Sequence, residues 1–255
     1  MRVGIAGYGK MGVLVWQVAL SRGHEVPVII DPSSSAKEVT QKKINSTTPQ
    51  LDVIIDFTNP DVVLDNIKSY CELKIPAVIG TTGWYDQIDQ VAENVKNSAI
   101  GLIWSGNFSL GVNLFFHIIK TTGKLMNRFS QYDVMINEYH HRHKADSPSG
   151  TAQMIGDILI DQIDRKNNVF NGFLERRIKD SELQITSTRG GSIPGTHRVT
   201  FDSEVDSLVL EHSARSRAGF AEGAVMAAEW VHNQRGFFNI DDMMDSIIKG
   251  NNTWR

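Results

Sequence analysis

Gly7-Tyr8-Gly9-Lys10-Met11-Gly12 follows a short apolar run at residues 3–6 and opens a stretch with apolar side chains at helical spacing. The spacing G-x-G-x-x-G in this context is typical of a turn that binds a dinucleotide. The first glycine allows the tight bend, the second lets the backbone approach the pyrophosphate, and the third lets helix and strand pack closely. Asp31 closes the next apolar run about 20 residues later, where a carboxylate accepts hydrogen bonds from the adenosine ribose. We therefore predict that residues 7–12 and Asp31 bind a dinucleotide.

Residues 1–105 alternate short apolar runs with helical stretches. Helices are predicted to begin at Lys10, at Pro60 and near Asp86. Strands are predicted at residues 3–6, 26–30, 51–57, 75–79 and 99–104. Such alternation favours a parallel sheet with helices on both faces. Pro27 argues against the second strand, because proline cannot donate to a β-ladder, and the polar stretch at residues 33–50 is predicted to be mostly loop.

The pattern changes after Asn107. Helices are predicted at residues 111–126 and 151–164, and strands at 132–140, 183–188, 197–201 and 208–212, the last two as an antiparallel hairpin. Two final helices, at residues 218–232 and 241–248, are expected to return to the first domain. The fold class is therefore predicted to be α/β, with a Rossmann-type dinucleotide-binding domain formed by residues 1–106 and 217–255. Residues 107–216 are predicted to form an α+β substrate domain with an open mixed sheet.

Composition excludes several classes of protein. The chain has 255 residues and a formal net charge of −3, with 41% hydrophobic and 22% charged residues, as in globular proteins. Scattered basic residues in a slightly acidic chain give no electrostatic footprint for nucleic acid. Cys71 is the only cysteine, which excludes an internal disulfide and a cysteine zinc site. No apolar run is long enough to span a bilayer, and the N-terminus enters a strand at once with no room for a signal peptide, so we expect a cytoplasmic protein with no membrane partner.

Two further loops follow predicted strands at the edge where open α/β sheets bind ligands. One follows the strand at residues 75–79 and the other follows the strand at residues 99–104. Because the glycine-rich turn lies at the same edge, we predict that these loops form the nicotinamide side of the site. Their candidate residues are Gly80, Thr81, Thr82, Ser105, Gly106, Asn107 and Phe108.

Residues 140–144 form a basic cluster, His-His-Arg-His-Lys, and Pro148-Ser149-Gly150-Thr151 then opens a helix. Three interpretations of the cluster compete. His141 and His143 could bind a metal, but no further histidine or carboxylate cluster accompanies them. The cluster could also be an ordinary solvated basic loop.

The third interpretation is an anion-binding pocket. The N–H groups of Gly150 and Thr151 lie at the positive end of the predicted helix and suit a carboxylate. Lys144 and His141 add positive charge. A histidine also titrates near neutral pH and can deliver a proton.

Residues 138–152, Glu-Tyr-His-His-Arg-His-Lys-Ala-Asp-Ser-Pro-Ser-Gly-Thr-Ala, closely resemble the E-x-H-H-x-x-K-x-D-x-P-S-G-T-A signature of the dihydrodipicolinate reductases. Asp56-Phe57-Thr58, Gly80-Thr81-Thr82-Gly83 and Asn107-Phe108-Ser109-x-Gly111-Val112-Asn113 resemble cofactor-domain motifs of the same family. The resemblance runs in order along the chain to at least Gly223. The histidine signature is highly specific.

The resemblance implies an activity and its site residues. The family reduces 4-hydroxy-tetrahydrodipicolinate, via dihydrodipicolinate, to tetrahydrodipicolinate with NAD(P)H, in the diaminopimelate route of lysine biosynthesis. His140 matches the proposed proton donor and Lys144 matches the second catalytic residue. His141, Gly150 and Thr151 match positions that hold the carboxylates of the small dicarboxylate substrate.

The resemblance also implies cofactor contacts and an assembly. The open sheets of the family's substrate domains assemble a homotetramer. From the residues themselves we predict no metal in the site. Arg217 matches an arginine near the domain hinge. The positions that match cofactor-contacting segments are Gly7, Tyr8, Gly9, Lys10, Met11, Gly12, Asp31, Gly80, Thr81, Thr82, Ser105, Gly106, Asn107 and Phe108.

The sequence favours NADH over NADPH. The Asp31 carboxylate repels the 2′-phosphate of NADPH, and Pro32 stands where many family members have a basic residue. Residues 33–50 are also shorter than in many members and lack their glycine-rich segment. Ser33, Ser34, Ser35 and Lys37 could partly compensate, so the use of both nucleotides is expected.

Two other functions fit a dinucleotide-binding domain. One is another two-domain amino-acid dehydrogenase, such as an aspartate dehydrogenase. The other is a nucleotide-sensing protein without turnover. The run His140-His141-x-x-Lys144 argues against both, because a sensor needs no proton donor beside an anion pocket.

Overall fold

The computed structural model describes residues 1–250, and residues 251–255 of the predicted first domain lie outside the described residues. The first half contains β1 (Arg2–Ala6), α1 (Lys10–Ser21), β2 (Glu25–Ile30), β3 (Val53–Asp56), α2 (Pro60–Leu73), β4 (Ala77–Ile79), α3 (Ile88–Ser98), β5 (Gly101–Trp104) and α4 (Leu110–Met126). The second half contains β6 (Asp133–His140), α5 (Gly150–Gln162), β7 (Asn168–Phe170), β8 (Glu182–Arg189), β9 (Thr196–Asp202), β10 (Ser207–Ser213), α6 (Ala218–Val231), β11 (Gly236–Asn239) and α7 (Ile240–Ile248). Of the described helices, none is long and apolar enough to cross a membrane.

The chain forms two compact units. The first consists of Met1–Asn113 and the chain from Arg217 onward, and the second of Leu114–Ser216. Each unit has its own sheet, which confirms the predicted α/β fold class with a Rossmann-type sheet and a second, mixed sheet.

The sheet of the first unit has six parallel strands in the order β11-β5-β4-β3-β1-β2. β2 lies at the edge, and the register between β1 and β2 is irregular where Arg2 pairs with Glu25 and Gly4 with Val28. Pro27 lies in this irregular stretch, which explains how a strand with a proline joins the sheet. β11 was not predicted, because its four residues are only half-buried and carry no strand pattern.

Helices cover both faces of this sheet. Because side chains alternate along a strand, Ile55 packs in the apolar layer with α1 and α6, and Ile54 packs in the opposite layer with α2 and α3. Consecutive strand residues are therefore buried, as the apolar runs in the sequence predict. The predicted helix near Asp86 begins with a short 3₁₀ turn, Tyr85–Gln87, and continues as α3.

The sheet of the second unit is mixed, with the strand order β10-β9-β6-β8-β7. β6 pairs parallel with β8 and antiparallel with β9, and β9 forms the predicted hairpin with β10. α5 packs on β6, β7 and β8. The buried face of the central strand β6 carries Val134, Ile136, Glu138 and His140. Two polar side chains thus end the apolar face of the central strand.

Candidate active site

The three glycines of the turn between β1 and α1 differ in the space that surrounds them and in their backbone conformation. Gly7 has a φ of +86°, and a Cβ built there would lie 2.3 Å from the carbonyl oxygen of Phe57. A Cβ on Gly12 would lie 1.9 Å from the carbonyl oxygen of Gly7, so only glycine lets α1 approach β1 this closely. Gly9, the N-cap of α1, has no described atom within 4 Å of such a Cβ. Open space at a helix N-terminus fits a pyrophosphate.

The Asp31 carboxylate ties this turn to the loop after β2. Oδ2 accepts a hydrogen bond from the Tyr8 N–H at 2.8 Å, and Oδ1 accepts from the Ser33 and Ser34 N–H groups at 2.8 and 3.0 Å. Partial burial by itself favours the neutral acid, but these donors and Lys42 lower the pKa of Asp31. A carboxylate has about four acceptor positions, so three backbone donors leave room for a ribose hydroxyl.

Thr81 belongs to a buried network around Asp56. The Asp56 carboxylate is fully buried and accepts hydrogen bonds from the Tyr70 hydroxyl at 2.7 Å, the Asn66 amide at 3.0 Å and the Thr81 hydroxyl at 3.0 Å. The network fixes the loop after β4 against the end of β3. The Thr81 side chain is therefore engaged in the protein itself, whereas the neighbouring Thr82 is exposed.

The loop after β5 is fixed by its own side chains. The Ser105 hydroxyl accepts from the Asn107 N–H at 3.0 Å and donates to the Asn107 carbonyl at 2.9 Å. Phe108 is 1% exposed and packs edge-on against Phe57. The Phe108 side chain thus belongs to the core, and Gly106 is the exposed member of this loop.

All of these loops leave the carboxyl ends of parallel strands. The chain runs from β1 to β2 on one side and continues with β3 on the other side of β1. The carboxyl edge at such a switch point is where open α/β sheets bind dinucleotides. The residues of this edge therefore fit a dinucleotide cofactor. Arg217 is exposed and precedes α6, and its role stays a prediction.

In the second unit, a buried carboxylate lies against the predicted proton donor. Glu138 and His140 are two residues apart on β6, so both point to its buried face. Glu138 is fully buried, and its Oε2 forms an ion pair with Nδ1 of His140, which is 6% exposed. Burial lowers the pKa of His140 and Glu138 opposes that effect.

The other carboxylate oxygen of Glu138 holds two more groups. Oε1 accepts a hydrogen bond from the Arg189 guanidinium at 2.7 Å and another from the Ser149 N–H at 3.0 Å. Burial alone would raise the pKa of Glu138, but the donors Arg189, Ser187 and Ser149 lower it to about 2. Glu138 is thus ionised at neutral pH and joins His140 to the start of α5.

The start of α5 carries the predicted carboxylate-binding amides. Ser149 is the N-cap, and its hydroxyl accepts from the Ala152 N–H at 3.2 Å. Gly150 and Thr151 are the first helical residues, whose N–H groups have no acceptor within an α-helix. Gly150 is exposed, and a Cβ built there would meet no described atom within 4 Å. Free amides, open space and a helix N-terminus together suit an anion.

His197, on β9, completes the buried cluster. Its Nε2 lies 3.1 Å from the Ser149 hydroxyl, and its ring packs edge-on against His140 with 5.2 Å between the centroids. Burial, followed by the charge of His140, lowers the pKa of His197 to about 4. His197 is therefore neutral at physiological pH and supports the N-cap of α5.

Lys144 and His141 lie in the loop between β6 and α5. The Lys144 ammonium donates to both oxygens of Asp146, at 2.7 and 2.9 Å, and is partly exposed. The backbone N–H of His141 donates to the carbonyl of Ile193 at 2.8 Å. His141 lines an open groove of about 480 Å³ with Arg142, His143, Gly191 and Ser192, which gives this loop a basic, accessible surface.

A cation is disfavoured in the cluster although its donor set resembles a zinc site. Glu138, His140 and His197 place one possible ligand atom each within 4.8 Å of one another, and two histidines with a carboxylate can bind Zn²⁺. However, Arg189 already neutralises Glu138, and the positive charges of Arg189 and Lys144 both act on His140. The surroundings fit a proton better than a metal ion. The prediction that no metal belongs here stays a prediction.

Sequence reasoning missed three members of this cluster: Glu138, Arg189 and His197. Glu138 stands in the quoted signature, and its spacing of two from His140 in a predicted strand could have placed both on one face. Arg189 and His197 come from β8 and β9, and only the strand order brings them beside β6.

The family comparisons place these two units in a class of protein: oxidoreductases that use a nicotinamide dinucleotide. The chain belongs to the dihydrodipicolinate reductase family. The family model "Dihydrodipicolinate reductase, N-terminus" matches residues 1–108, and "Dihydrodipicolinate reductase, C-terminus" matches residues 111–244. The predicted family, its enzymatic class and the use of a nicotinamide dinucleotide are thereby confirmed.

Relatives and solved structures agree with this assignment. The chain is 34% identical over 249 residues to the 4-hydroxy-tetrahydrodipicolinate reductase of Christiangramia forsetii, covering 98% of this chain and 100% of that protein. It is 35% identical over 205 residues to the enzyme of the same name from Neisseria meningitidis, covering 79% of this chain and 75% of that protein. A dipicolinate-bound dihydrodipicolinate reductase from Paenisporosarcina sp. TG-14 shares the fold, with a TM-score of 0.77 at 23% identity over 95% of this chain and 98% of that chain.

Proposed function

We propose that the protein reduces 4-hydroxy-tetrahydrodipicolinate, via dihydrodipicolinate, to tetrahydrodipicolinate with NAD(P)H, in the diaminopimelate route of lysine biosynthesis. The observation that carries the proposal is the buried carboxylate of Glu138, which contacts both His140 and the N-cap of α5. Glu138 thus holds a proton donor close to an anion-binding helix start. Reduction of a cyclic imine dicarboxylate needs both features.

His140 acts as the proton donor. A dinucleotide bound in the first unit would supply the hydride for C4 of the substrate ring. His140 adds the proton that completes the reduction, and the imidazolium is stabilised before transfer by the negative charge of Glu138. The histidine is then neutral and is recharged from solvent.

Lys144, His141 and the amides of Gly150 and Thr151 bind the substrate carboxylates. Lys144 exchanges its contact with Asp146 for a carboxylate of the substrate, a change between two charge-assisted hydrogen bonds. The helix N-terminus contributes fixed donors that need no rearrangement. Two carboxylates held in this way fix the ring in one orientation.

The edge formed by residues 7–12, Asp31, the loop at residues 80–82 and the loop at residues 105–108 holds the dinucleotide. NADH is the preferred form, because Asp31 is ionised and faces the ribose position, and NADPH is accepted more weakly. The cofactor role of Phe108 is limited to its backbone, since its side chain is buried. We further propose that the open mixed sheet of the second unit assembles a homotetramer and that the protein is cytoplasmic.

The assay follows the near-ultraviolet absorbance of NADH and of NADPH with freshly made 4-hydroxy-tetrahydrodipicolinate. We expect loss of absorbance with both nucleotides and faster loss with NADH. L-Aspartate with NAD⁺ serves as the control for an aspartate dehydrogenase. Turnover of aspartate but not of the cyclic dicarboxylate would reject the proposed substrate, and binding of NADH without turnover of either compound would indicate a sensor.

A further inference from the structure

We propose that Glu138 is a positioning residue: it holds His140 through Nδ1, so that Nε2 is the atom that transfers the proton, and it fixes His140 relative to the carboxylate-binding start of α5. The inference deepens the proposed function and rests on His140 as the proton donor. The inference is based on the two carboxylate oxygens of Glu138: Oε2 contacts Nδ1 of His140, and Oε1 accepts a hydrogen bond from the Ser149 N–H.

Burial makes this arrangement specific. Glu138 is 0% exposed, and an ionised carboxylate is retained in the interior only when charge and hydrogen bonds compensate it. Arg189 supplies the compensating charge, and its guanidinium also donates to the carbonyl of Asp146 at 2.6 Å. The Glu138 carboxylate is therefore fixed by Arg189 and by the Ser149 N–H. It can hold an imidazole in one orientation, as the buried aspartate does in a serine-protease triad.

Gly195 lies next to Nε2 of His140, on the side of the ring away from Nδ1. A Cβ built on Gly195 would lie 2.9 Å from Nε2 of His140, in van der Waals overlap with the ring. With Nδ1 taken by Glu138, Nε2 is the remaining nitrogen, and a side chain at residue 195 would crowd it. Glu138 and Gly195 thus both favour Nε2 as the reacting nitrogen of His140.

Four charged or titratable groups act on His140: Glu138, Lys144, Arg189 and His197. Glu138 is the only one of them that favours the protonated ring. Loss of its charge leaves burial and the cations Lys144 and Arg189, which all favour the neutral ring. A positioning role therefore has a signature in the pH dependence of activity that a purely structural role lacks.

The test uses Glu138→Gln, which keeps the size of the side chain and removes its charge. Glu182→Gln is the matched control, because Glu182 is also a nearly buried carboxylate paired with an arginine, on neighbouring β8. Circular dichroism and thermal unfolding verify the fold of both variants. We expect kcat of Glu138→Gln to fall by about 10²-fold, with its decline at high pH moved to lower pH and the KM for NADH unchanged. Glu182→Gln keeps the wild-type pH profile.

Comparison with His140→Gln separates the inference from the proposed function. If Glu138 acts through His140, adding Glu138→Gln to His140→Gln lowers kcat by less than about threefold, because the two losses are not additive. Histidine ¹⁵N titration of wild type and Glu138→Gln provides a readout without turnover, in which the His140 titration moves to lower pH. An inactive His140→Gln beside a Glu138→Gln variant with wild-type kcat and pH profile overturns the inference alone, whereas an active His140→Gln overturns the proposed proton donor.

Discussion

The Asp31 carboxylate accepts a hydrogen bond from the backbone N–H of Tyr8 at 2.8 Å, and so joins the end of β2 to the middle of the glycine-rich turn. The same carboxylate accepts from Ser33 and Ser34. One side chain therefore shapes two segments of the proposed dinucleotide site. Substitution of Asp31 must act both on the choice between nucleotides and on the affinity for either.

Asp31→Asn and Asp31→Ser separate these effects. The wild type should prefer NADH over NADPH by roughly tenfold in kcat/KM, about 1.4 kcal/mol. Asn removes the charge and keeps an acceptor for Tyr8, so it should narrow the preference at little cost in KM for NADH. Ser shortens the side chain as well, so it should also raise the KM for both nucleotides. A wild-type enzyme that favours NADPH would contradict the role given to Asp31.

The glycine-rich turn predicts different outcomes for two alanine substitutions. In Gly9→Ala the new methyl group meets open space, so thermal stability should change little while dinucleotide affinity falls by about tenfold or more. In Gly12→Ala the methyl group overlaps the Gly7 carbonyl, so the unit should lose stability by about 1–3 kcal/mol. Thermal shift with and without NADH measures both. Wild-type affinity for NADH in Gly9→Ala would show that Gly9 is not a contact site.

Gly195→Ala tests the space beside His140. The added methyl group would lie 2.9 Å from Nε2, and the φ of +157° at Gly195 also disfavours a side chain. In protein whose fold is verified by thermal unfolding, we expect kcat to fall by about 10²-fold while the affinity for NADH is unchanged. Gly190→Ala is the control in the same β8–β9 connection, since a Cβ there meets no described atom within 4 Å. Unchanged kcat in folded Gly195→Ala would argue against Nε2 as the reacting nitrogen.

His197 predicts a loss of stability in mild acid. Its pKa is about 4 in the folded protein because of burial, against about 6.5 in an unfolded chain. Between these values the unfolded state binds more protons, so the free energy of unfolding falls as pH drops from about 6.5 to about 4, by roughly 2–3 kcal/mol. Urea unfolding between about pH 4 and about pH 6.5 measures this effect. The free energy of unfolding of His197→Asn should vary less with pH than that of the wild type. Parallel profiles for the two proteins would exclude His197 as a source of the acid sensitivity.

Much of the first unit follows from the sequence, because its signals are local. The spacing of Gly7, Gly9 and Gly12 requires a defined turn, and Asp31 follows at the end of the next strand. β7 and β11 were missed because three or four half-buried residues carry no periodic pattern.

The second unit is harder to predict from the sequence, because residues on three different strands form the cluster around His140. The signature places Glu138, His140 and Gly150 in the sequence, but the contacts of Arg189 and His197 depend on the order β9-β6-β8. That order mixes parallel and antiparallel neighbours, and no local pattern specifies it. Phe108 was predicted from a motif as a cofactor contact, but a motif position alone does not reveal that the side chain is buried.

The most direct test of the account is kcat for NADH oxidation by His140→Gln at saturating 4-hydroxy-tetrahydrodipicolinate. Binding of NADH and of pyridine-2,6-dicarboxylate, measured by calorimetry, verifies that both ligand sites remain. The account predicts kcat lowered by about 10²–10³-fold with both affinities preserved. A correctly folded His140→Gln protein with near wild-type kcat would contradict it.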